Sequence, residues 1–155
     1  MDYFTRWPEA KAVRSANSEK VANFIYENII CRFGAPRVIQ SDQGTHFVNQ
    51  VIKQLTEKFR IRHSLSSPYH PQSNGLVERF NKTLCEGLAK VGDLIFDWDK
   101  YIQPVLFAYR IKELHISKQS PYVLVYGREP NLVMDVYQGN NTVIDRLLEL
   151  TDKVP

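Results

Sequence analysis

The sequence has no apolar run of about 18 residues, the length that a membrane-spanning helix requires. Its first residues, Met-Asp-Tyr-Phe, lack the basic and then apolar pattern of a secretory signal. It also shows no internal repeat and no low-complexity tract. These absences argue against a membrane protein, a secreted protein and a solenoid, and they predict a location in the nucleus or the cytoplasm.

Cysteine is scarce, with two residues in a chain of 155. Cys31 and Cys85 are far apart and neither belongs to a CxxC pair, which excludes a disulfide framework and a thiolate zinc site. We expect both to be buried free thiols. The four histidines also lack paired ligand spacing, so no zinc site is predicted.

The chain has little excess charge, with a formal net charge of +3. Affinity for nucleic acid would therefore depend on where the basic residues lie rather than on their total. Hydrophobic residues make up 43% of the sequence and charged residues 24%, which is typical of one globular domain with a core of its own.

Strand and helix signals alternate along the chain, as in an α/β or α+β domain. Apolar residues at helical spacing predict helices over about 18–32, 48–59, 76–91 and 98–109. The first of these has a serine at its expected cap, and Pro104 is expected to bend or restart the last one. Residues 37–40 are predicted to form a short buried strand, and residues 61–65 are a second strand candidate.

The remaining segments are predicted from their composition. Residues 66–75 are rich in Ser, Pro, His, Asn and Gly, which predicts a mobile loop. Residues 127–141 are predicted to be a linker, followed by a short amphipathic helix over 143–150. Trp98, Tyr101 and Tyr109 lie at helical spacing and are expected in the core, while Trp7 is expected to pack in a strand.

Two carboxylates are the candidates for chemistry. Asp42 follows the first predicted strand, and Glu78 lies in the first turn of the helix after the loop. Two such acids can bind Mg²⁺, and two metals about 3.5–4 Å apart can hold the attacking and leaving oxygens of a phosphoryl transfer. Position alone leaves an ordinary alternative open, since Asp often forms turns and Glu often stabilises the start of a helix.

Several longer motifs carry a resemblance to a known family. Residues 41–47 read Ser-Asp-Gln-Gly-Thr-His-Phe, and 35 residues separate Asp42 from Glu78, which lies in the string Pro-Tyr-His-Pro-Gln-Ser-Asn-Gly-Leu-Val-Glu-Arg-Phe-Asn-Lys over 68–82. This pattern closely resembles the D,D(35)E integrases of retroviruses and Ty3/Gypsy-type retrotransposons. Further similar segments are DYFTRWPEA over 2–10, RFGAP over 32–36 and SPYVLVYGREP over 120–130.

The resemblance implies a fold, a reaction and a domain division. The fold would be RNase H-like, a mixed sheet with helices on both faces, with the catalytic core over residues 1–135 and a C-terminal extension over 136–155. The implied reaction is Mg²⁺- or Mn²⁺-dependent 3′-processing and strand transfer of DNA, with Asp42 and Glu78 as catalytic metal ligands. The implied partners are retroelement ends, target DNA and further copies of the chain.

The resemblance also implies residues that contact DNA. Tyr69, Ser73 and Asn74 fall in what resembles the active-site loop, where Tyr69 could stack on an unpaired base. Asn81 and Lys82 lie three and four residues after Glu78, so a helix places all three on one face. Lys82 and Arg79 would contact phosphates. A solvated charged helix face is the alternative for these cations.

One departure from the family pattern changes the expectation. In these enzymes a first catalytic Asp lies on the first strand, upstream of the DYFTRW-like stretch, and the chain begins in what resembles the end of the second strand. The first strand and most of the second are thus expected to be missing, and Asp2 aligns with a non-catalytic acid. We therefore expect the chain to be inactive alone and marginally stable.

Two other functions remain open at this point. One is a non-catalytic nucleic-acid-binding or interaction protein that derives from a retrotransposon integrase and keeps only the fold. The other is an unrelated RNase H-like nuclease, against which the Pro-Gln-Ser-Asn-Gly segment argues because a generic nuclease does not need it.

Overall fold

A computed structural model of the chain describes residues 1–66, 75–91 and 97–132. The chain divides into two compact units, Lys11–Lys82 and a second formed by Met1–Ala10 with Thr83–Pro155. The predicted loop over 66–75 lies almost wholly outside the described residues, as does the predicted helix over 143–150. Within the described ranges, no helix is long and apolar enough to cross a membrane.

The Lys11–Lys82 unit begins with one continuous helical segment, which confirms the predicted first helix. It consists of α1 (Ser18–Ile25), a π-helical turn (Tyr26–Ile30) and α2 (Cys31–Phe33). The cap is Asn17 rather than the expected serine, since the Asn17 side chain accepts from Lys20 N at 2.9 Å. Gly34 ends the segment with φ of 87°, a conformation that glycine adopts without steric cost.

Two parallel strands form the sheet of the described residues. These are β1 (Val38–Ser41) and β2 (Arg62–Leu65), with Val38 opposite Arg62 and Ser41 opposite Leu65. The expectation of a buried first strand is wrong, because Ser41 alone in β1 is buried and Val38 is 40% exposed. The apolar side chain of Val38 is only partly covered in this two-stranded sheet. The hydrophobicity of a residue does not tell which face of a sheet is packed against other elements.

Helix α3 (Gln50–Lys58) connects the two strands and completes the core of this unit. Asn49 caps it by accepting from Ile52 N at 3.0 Å. Ile52 packs with Ala22 and Ile25 of α1 in one apolar cluster. Val48 and Val51 were expected on the apolar stripe but are 49% and 37% exposed, because Val48 precedes the helix and Val51 lies on its outer face.

Helix α4 (Gly75–Val91) runs from the Lys11–Lys82 unit into the other unit and confirms the predicted long helix. Phe80 is its buried residue. Farther along, Gly87 lies against Val105, since a Cβ at Gly87 would be 2.7 Å from Val105 Cγ1. A side chain there would collide with the neighbouring helix.

The second unit contains a 3₁₀ turn (Trp98–Tyr101), α5 (Ile102–Ile111) and α6 (Pro121–Tyr126). Pro104 lies in the first turn of α5, where it removes no intrahelical donor, and the predicted restart coincides with the junction of the two helical forms. Trp98 is 48% exposed, so its expected core position is wrong. The α-helical spacing that suggested burial does not apply in a 3₁₀ turn.

Three further expectations are wrong or incomplete. Cys31 and Cys85 are free but exposed rather than buried, because both lie on the outer faces of their helices. Trp7 is buried, yet it belongs to no strand. Helix α6 was not predicted, although Ser120 caps it and Pro121 opens it.

A buried ion pair connects the beginning of the chain to α5 in the second unit. Arg110 Nη2 lies 2.9 Å from Glu9 Oε2, and the two side chains are 8% and 7% exposed. The same guanidinium donates to the Pro8 carbonyl at 2.8 Å and lies 4.5 Å from the centre of the Trp7 ring. Trp7 Nε1 donates to Glu9 Oε1 at 2.8 Å, so each group has a partner.

Arg110→Ala is expected to lower the free energy of unfolding by about 3 kcal/mol, because it leaves the buried Glu9 carboxylate without its cation. Urea unfolding followed by circular dichroism measures this. Lys11→Ala is the matched control, since it removes an exposed pair with Glu27 at 3.3 Å and should scarcely change the midpoint. Equal effects of the two variants would contradict the assigned role of Arg110.

Candidate active site at the end of the first strand

Asp42 stands directly after β1, at the carboxyl end of the parallel pair. It is exposed, and its Oδ1 accepts from Gly44 N at 2.9 Å, which forms a tight turn. The Gly44 carbonyl in turn accepts from the backbone of Phe47 and Val48 at 2.8 and 3.0 Å. These bonds fix the direction of the Asp42 carboxylate relative to the strand.

Gly44 allows two polar side chains to approach one another. A Cβ on Gly44 would lie 2.9 Å from Asp42 Oδ1 and 3.0 Å from His46 Nε2. The carboxylate and the imidazole therefore flank the same small space. Any larger residue at this position would displace one of them.

Ser41 supports the backbone of Asp42 from the buried side. Its hydroxyl donates to the Asp42 carbonyl at 2.8 Å and lies 2.8 Å from His63 Nε2 on β2. A hydroxyl has one proton, so with that proton directed at the carbonyl, His63 donates through Nε2. The site thus includes a hydrogen-bonded link between the two strands, and this link holds the residue next to Asp42.

The chain that leaves β2 is bound beside Asp42. Ser66 N donates to the Ser41 carbonyl at 2.8 Å, and Gln43 Nε2 donates to the Ser66 carbonyl at 3.2 Å. The next residues include three predicted DNA contacts, Tyr69, Ser73 and Asn74, all of which lie outside the described residues.

Glu78 belongs to the same compact unit as Asp42. It is exposed in the first turn of α4, and the helical geometry places Asn81 and Lys82 on its face. Arg79, Asn81 and Lys82 are exposed as well.

The donor set suits a hard divalent cation. Mg²⁺ commonly takes one or two carboxylates, and water and phosphate oxygens complete its coordination. Asp42 and Glu78 are exposed carboxylates of the same compact unit, and Asp42 Oδ2 has no hydrogen-bond partner among residues 1–66, 75–91 and 97–132. Within those ranges, no group of three or more His, Cys, Asp or Glu side chains is placed to hold a metal.

Asp2 has a structural role in a turn. Its Oδ1 accepts from the Thr5 backbone and from the Thr5 hydroxyl, each at 2.6 Å. Burial by itself would raise the pKa of Asp2, but the hydrogen bonds from Thr5 and from the Phe4 backbone, together with the nearby N-terminal charge, outweigh it and hold the pKa below its ordinary value. The Asp2 carboxylate is thus held within this turn by hydrogen bonds to Thr5.

Sequence reasoning missed Ser41, His46 and His63 as neighbours of Asp42. It considered the two histidines only for zinc spacing. His46 could have been noticed two residues after Gly44, in the turn that carries the motif. The bond between Ser41 and His63 depends on the register of the two strands, which no local pattern of residues contains.

Comparison with known proteins matches the sequence to one family. Two models, both described as "Integrase core domain", match residues 1–71 and 59–94. The Pol polyprotein of feline endogenous virus ECE1 is 37% identical over 134 residues, which are 85% of this chain and 13% of the polyprotein. The chain thus spans about an eighth of that relative's length.

Solved structures share the fold. The catalytic core domain of BIV integrase matches with a TM-score of 0.66 and 26% identity, covering 78% of each chain. A chain of the simian T-cell lymphotropic virus intasome matches with a TM-score of 0.74 and 22% identity, covering 91% of this chain and 51% of that one. The fold is therefore RNase H-like, and the chain belongs to the family of retroviral-type integrase catalytic cores.

Proposed function

We propose that this chain acts in the integration of retroelement DNA and holds a divalent metal between Asp42 and Glu78. The observation that carries this proposal is the fixed carboxylate of Asp42 at the carboxyl end of a parallel strand pair, directed by Gly44 N. Membership of the integrase core family supports it. The metal would be Mg²⁺ or Mn²⁺, since carboxylate and water oxygens suit both.

The two acids have the same task in this proposal, which is to bring the metal to the reacting phosphate. The metal supplies polarisation of the phosphoryl oxygen and activation of the attacking hydroxyl or water. Ser41 holds the backbone at Asp42, and His63 holds Ser41, so the first ligand keeps its position while DNA enters. Both acids are exposed, which leaves room for a DNA end.

The nucleic-acid partner is DNA, both the retroelement ends and the target. Arg79 and Lys82 would bind phosphates, while Asn81 shares the helix face of Glu78. Tyr69, Ser73 and Asn74 would contact the DNA end from the segment between β2 and α4. The working form is expected to be a homo-multimer, which the resemblance to a chain of a viral intasome supports.

The metal site can be tested directly. Asp42→Asn and Glu78→Gln should each remove most of the Mn²⁺ binding detected by titration calorimetry, because each takes away one of two carboxylate ligands. Asp99→Asn is the matched control, since Asp99 is exposed in the 3₁₀ turn and should leave binding unchanged. If Asp42→Asn binds as the unaltered chain does, the proposed site is wrong.

Gly44→Ala tests the turn that directs the carboxylate. The added methyl would stand 2.9 Å from Asp42 Oδ1, so that oxygen or the His46 ring must move. We expect the apparent Kd for Mn²⁺ to rise roughly tenfold, as when a group that orients a metal ligand is lost. The thermal unfolding midpoint should change little, since both displaced atoms end flexible side chains. Unaltered Mn²⁺ affinity would show that the Gly44 turn does not direct the ligand.

Strand-transfer activity of the chain by itself can be tested separately from metal binding. Asp42 and Glu78 are two carboxylates, which suit one metal rather than the two of a phosphoryl-transfer site, so the chain should give no detectable strand transfer on a labelled DNA duplex with Mn²⁺. A joined product that disappears in Asp42→Asn would show that two acids are enough. If the chain does not bind Mn²⁺ but binds DNA without any metal, the non-catalytic alternative is favoured.

A further inference from the structure

A basic surface lies at the end of the Lys11–Lys82 unit that is opposite to Asp42. Here α2 ends at Phe33, α3 ends at Lys58, and both strands begin. Because β1 and β2 are parallel, their first residues share one edge of the sheet. A strand of four residues is about 13 Å long, so this edge is distinct from the site at Asp42.

We call this surface the amino-end patch. It combines five cations with three aromatic rings: Arg32, Arg37, Lys58, Arg60, Arg62, Tyr26, Phe33 and Phe59. These cations are a quarter of the 20 Lys and Arg residues in a chain whose net charge is only +3. Positive charge is therefore concentrated at this edge of the unit.

Contacts within the patch bring its members together. The Tyr26 and Phe59 ring centres are 5.8 Å apart, and Lys58 Nζ lies 5.9 Å from the Phe59 ring. Arg62 N donates to the Arg37 carbonyl at 3.0 Å, which joins the beginnings of the two strands. The helical segment that carries Tyr26 also carries the second ring and cation, since the Arg32 guanidinium lies 5.0 Å from the Phe33 ring.

The patch is open to solvent and poor in neutralising acids. All five cations are exposed, and Tyr26 and Phe33 are each 45% exposed. Among the residues that the structure describes, Arg37, Arg60 and Arg62 form no ion pair. The nearby Glu57 lies 3.9 Å from Lys53.

The ends of the helices explain only part of this charge. A cation in the last turn of a helix stabilises the helix dipole, which accounts for Arg32 and Lys58. Arg37, Arg60 and Arg62 lie outside helices. Arg60 even has a φ of 55°, a left-handed conformation that suits glycine better than arginine. Fold stability alone does not favour arginine there.

We propose that the amino-end patch binds a single-stranded nucleic acid, separately from the metal site at Asp42. Guanidinium groups bind phosphate oxygens in a bidentate manner, and three of the four arginines have no competing carboxylate. The rings of Tyr26 and Phe33 are half-exposed at the same end of the unit, Phe33 beside Arg32 and Tyr26 beside Phe59, and rings so placed can stack on unpaired bases. The partner is a strand whose bases are accessible, because a duplex would offer phosphates but no base faces to the rings.

Fluorescence anisotropy with labelled 12-nucleotide strands of dT or U, in EDTA, tests the proposal on the full chain. The triple variant Arg37→Gln, Arg60→Gly, Arg62→Gln should weaken binding about tenfold or more and reduce the salt slope by about 2, as expected for three lost phosphate contacts. The matched control, Arg14→Gln, Lys20→Gln, Lys112→Gln, removes the same charge from exposed positions elsewhere and should change binding little. Equal losses in the two variants would overturn the proposal.

Two single variants separate binding from folding. Arg60→Gly relieves the left-handed arginine, so it should keep or raise the thermal midpoint while it weakens binding. Tyr26→Leu should weaken binding of the single strands and leave duplex binding unchanged. Tighter binding of a 12-base-pair duplex than of either strand would contradict the proposal, as would a patch variant that changes only the oligomeric state.

The same measurement keeps this proposal apart from the metal site. Binding at the patch should be equal in EDTA and in Mg²⁺, and Asp42→Asn should not alter it. If the unaltered chain does not bind Mn²⁺ and the patch variant loses single-strand binding, the patch is supported and the metal site is rejected. If the unaltered chain binds Mn²⁺ and the patch variant binds single strands as before, the metal site is supported and the patch is rejected.

Discussion

The candidate site depends on the pairing of two short parallel strands. The ladder between β1 and β2 continues beyond the strands through the bond from Ser66 N to the Ser41 carbonyl. This bond brings the beginning of the segment that leads to Glu78 next to Asp42. The hydroxyl of Ser41 and the ring of His63 join the same two strands from the buried side. Register therefore decides which side chains surround Asp42, because a slip of one residue would reverse every side chain.

Much of this arrangement could be predicted from the sequence, because the signals that specify it come from residues close together along the chain. The periodicity of apolar residues predicts the helices, and Gly34 predicts where the first helical segment ends. The bounds of α1 to α4 therefore agree with expectation. Asp42 became a candidate from the sequence because it follows a predicted strand and stands in a long and specific motif. Exposure was less predictable, as Val38, Val51 and Trp98 show, since it depends on which surface covers a residue.

Pairings over long sequence distances could not be predicted at all. Arg110 and Glu9 are 101 residues apart, and each is an ordinary charged residue in the sequence. Their burial becomes favourable only because the Pro8 carbonyl and the Trp7 ring complete the environment of the guanidinium. The amino-end patch has the same origin, since its cations come from four separate element ends that the parallel topology gathers at one edge.

The π-helical turn at Tyr26–Ile30 has a consequence for how this helix could change in length. A π turn widens the helix locally, with Cys31 N bonded to the Tyr26 carbonyl five residues earlier. This turn contains one residue more than an α-helix has over the same rise, and removing that residue would restore ordinary winding. Arg32 and Phe33 would then keep about the same direction, because the π turn already accommodates the extra residue. The turn thus absorbs a difference of one residue in the length of the segment, so that Ile25 keeps its place in the core and the end of the helix keeps its orientation.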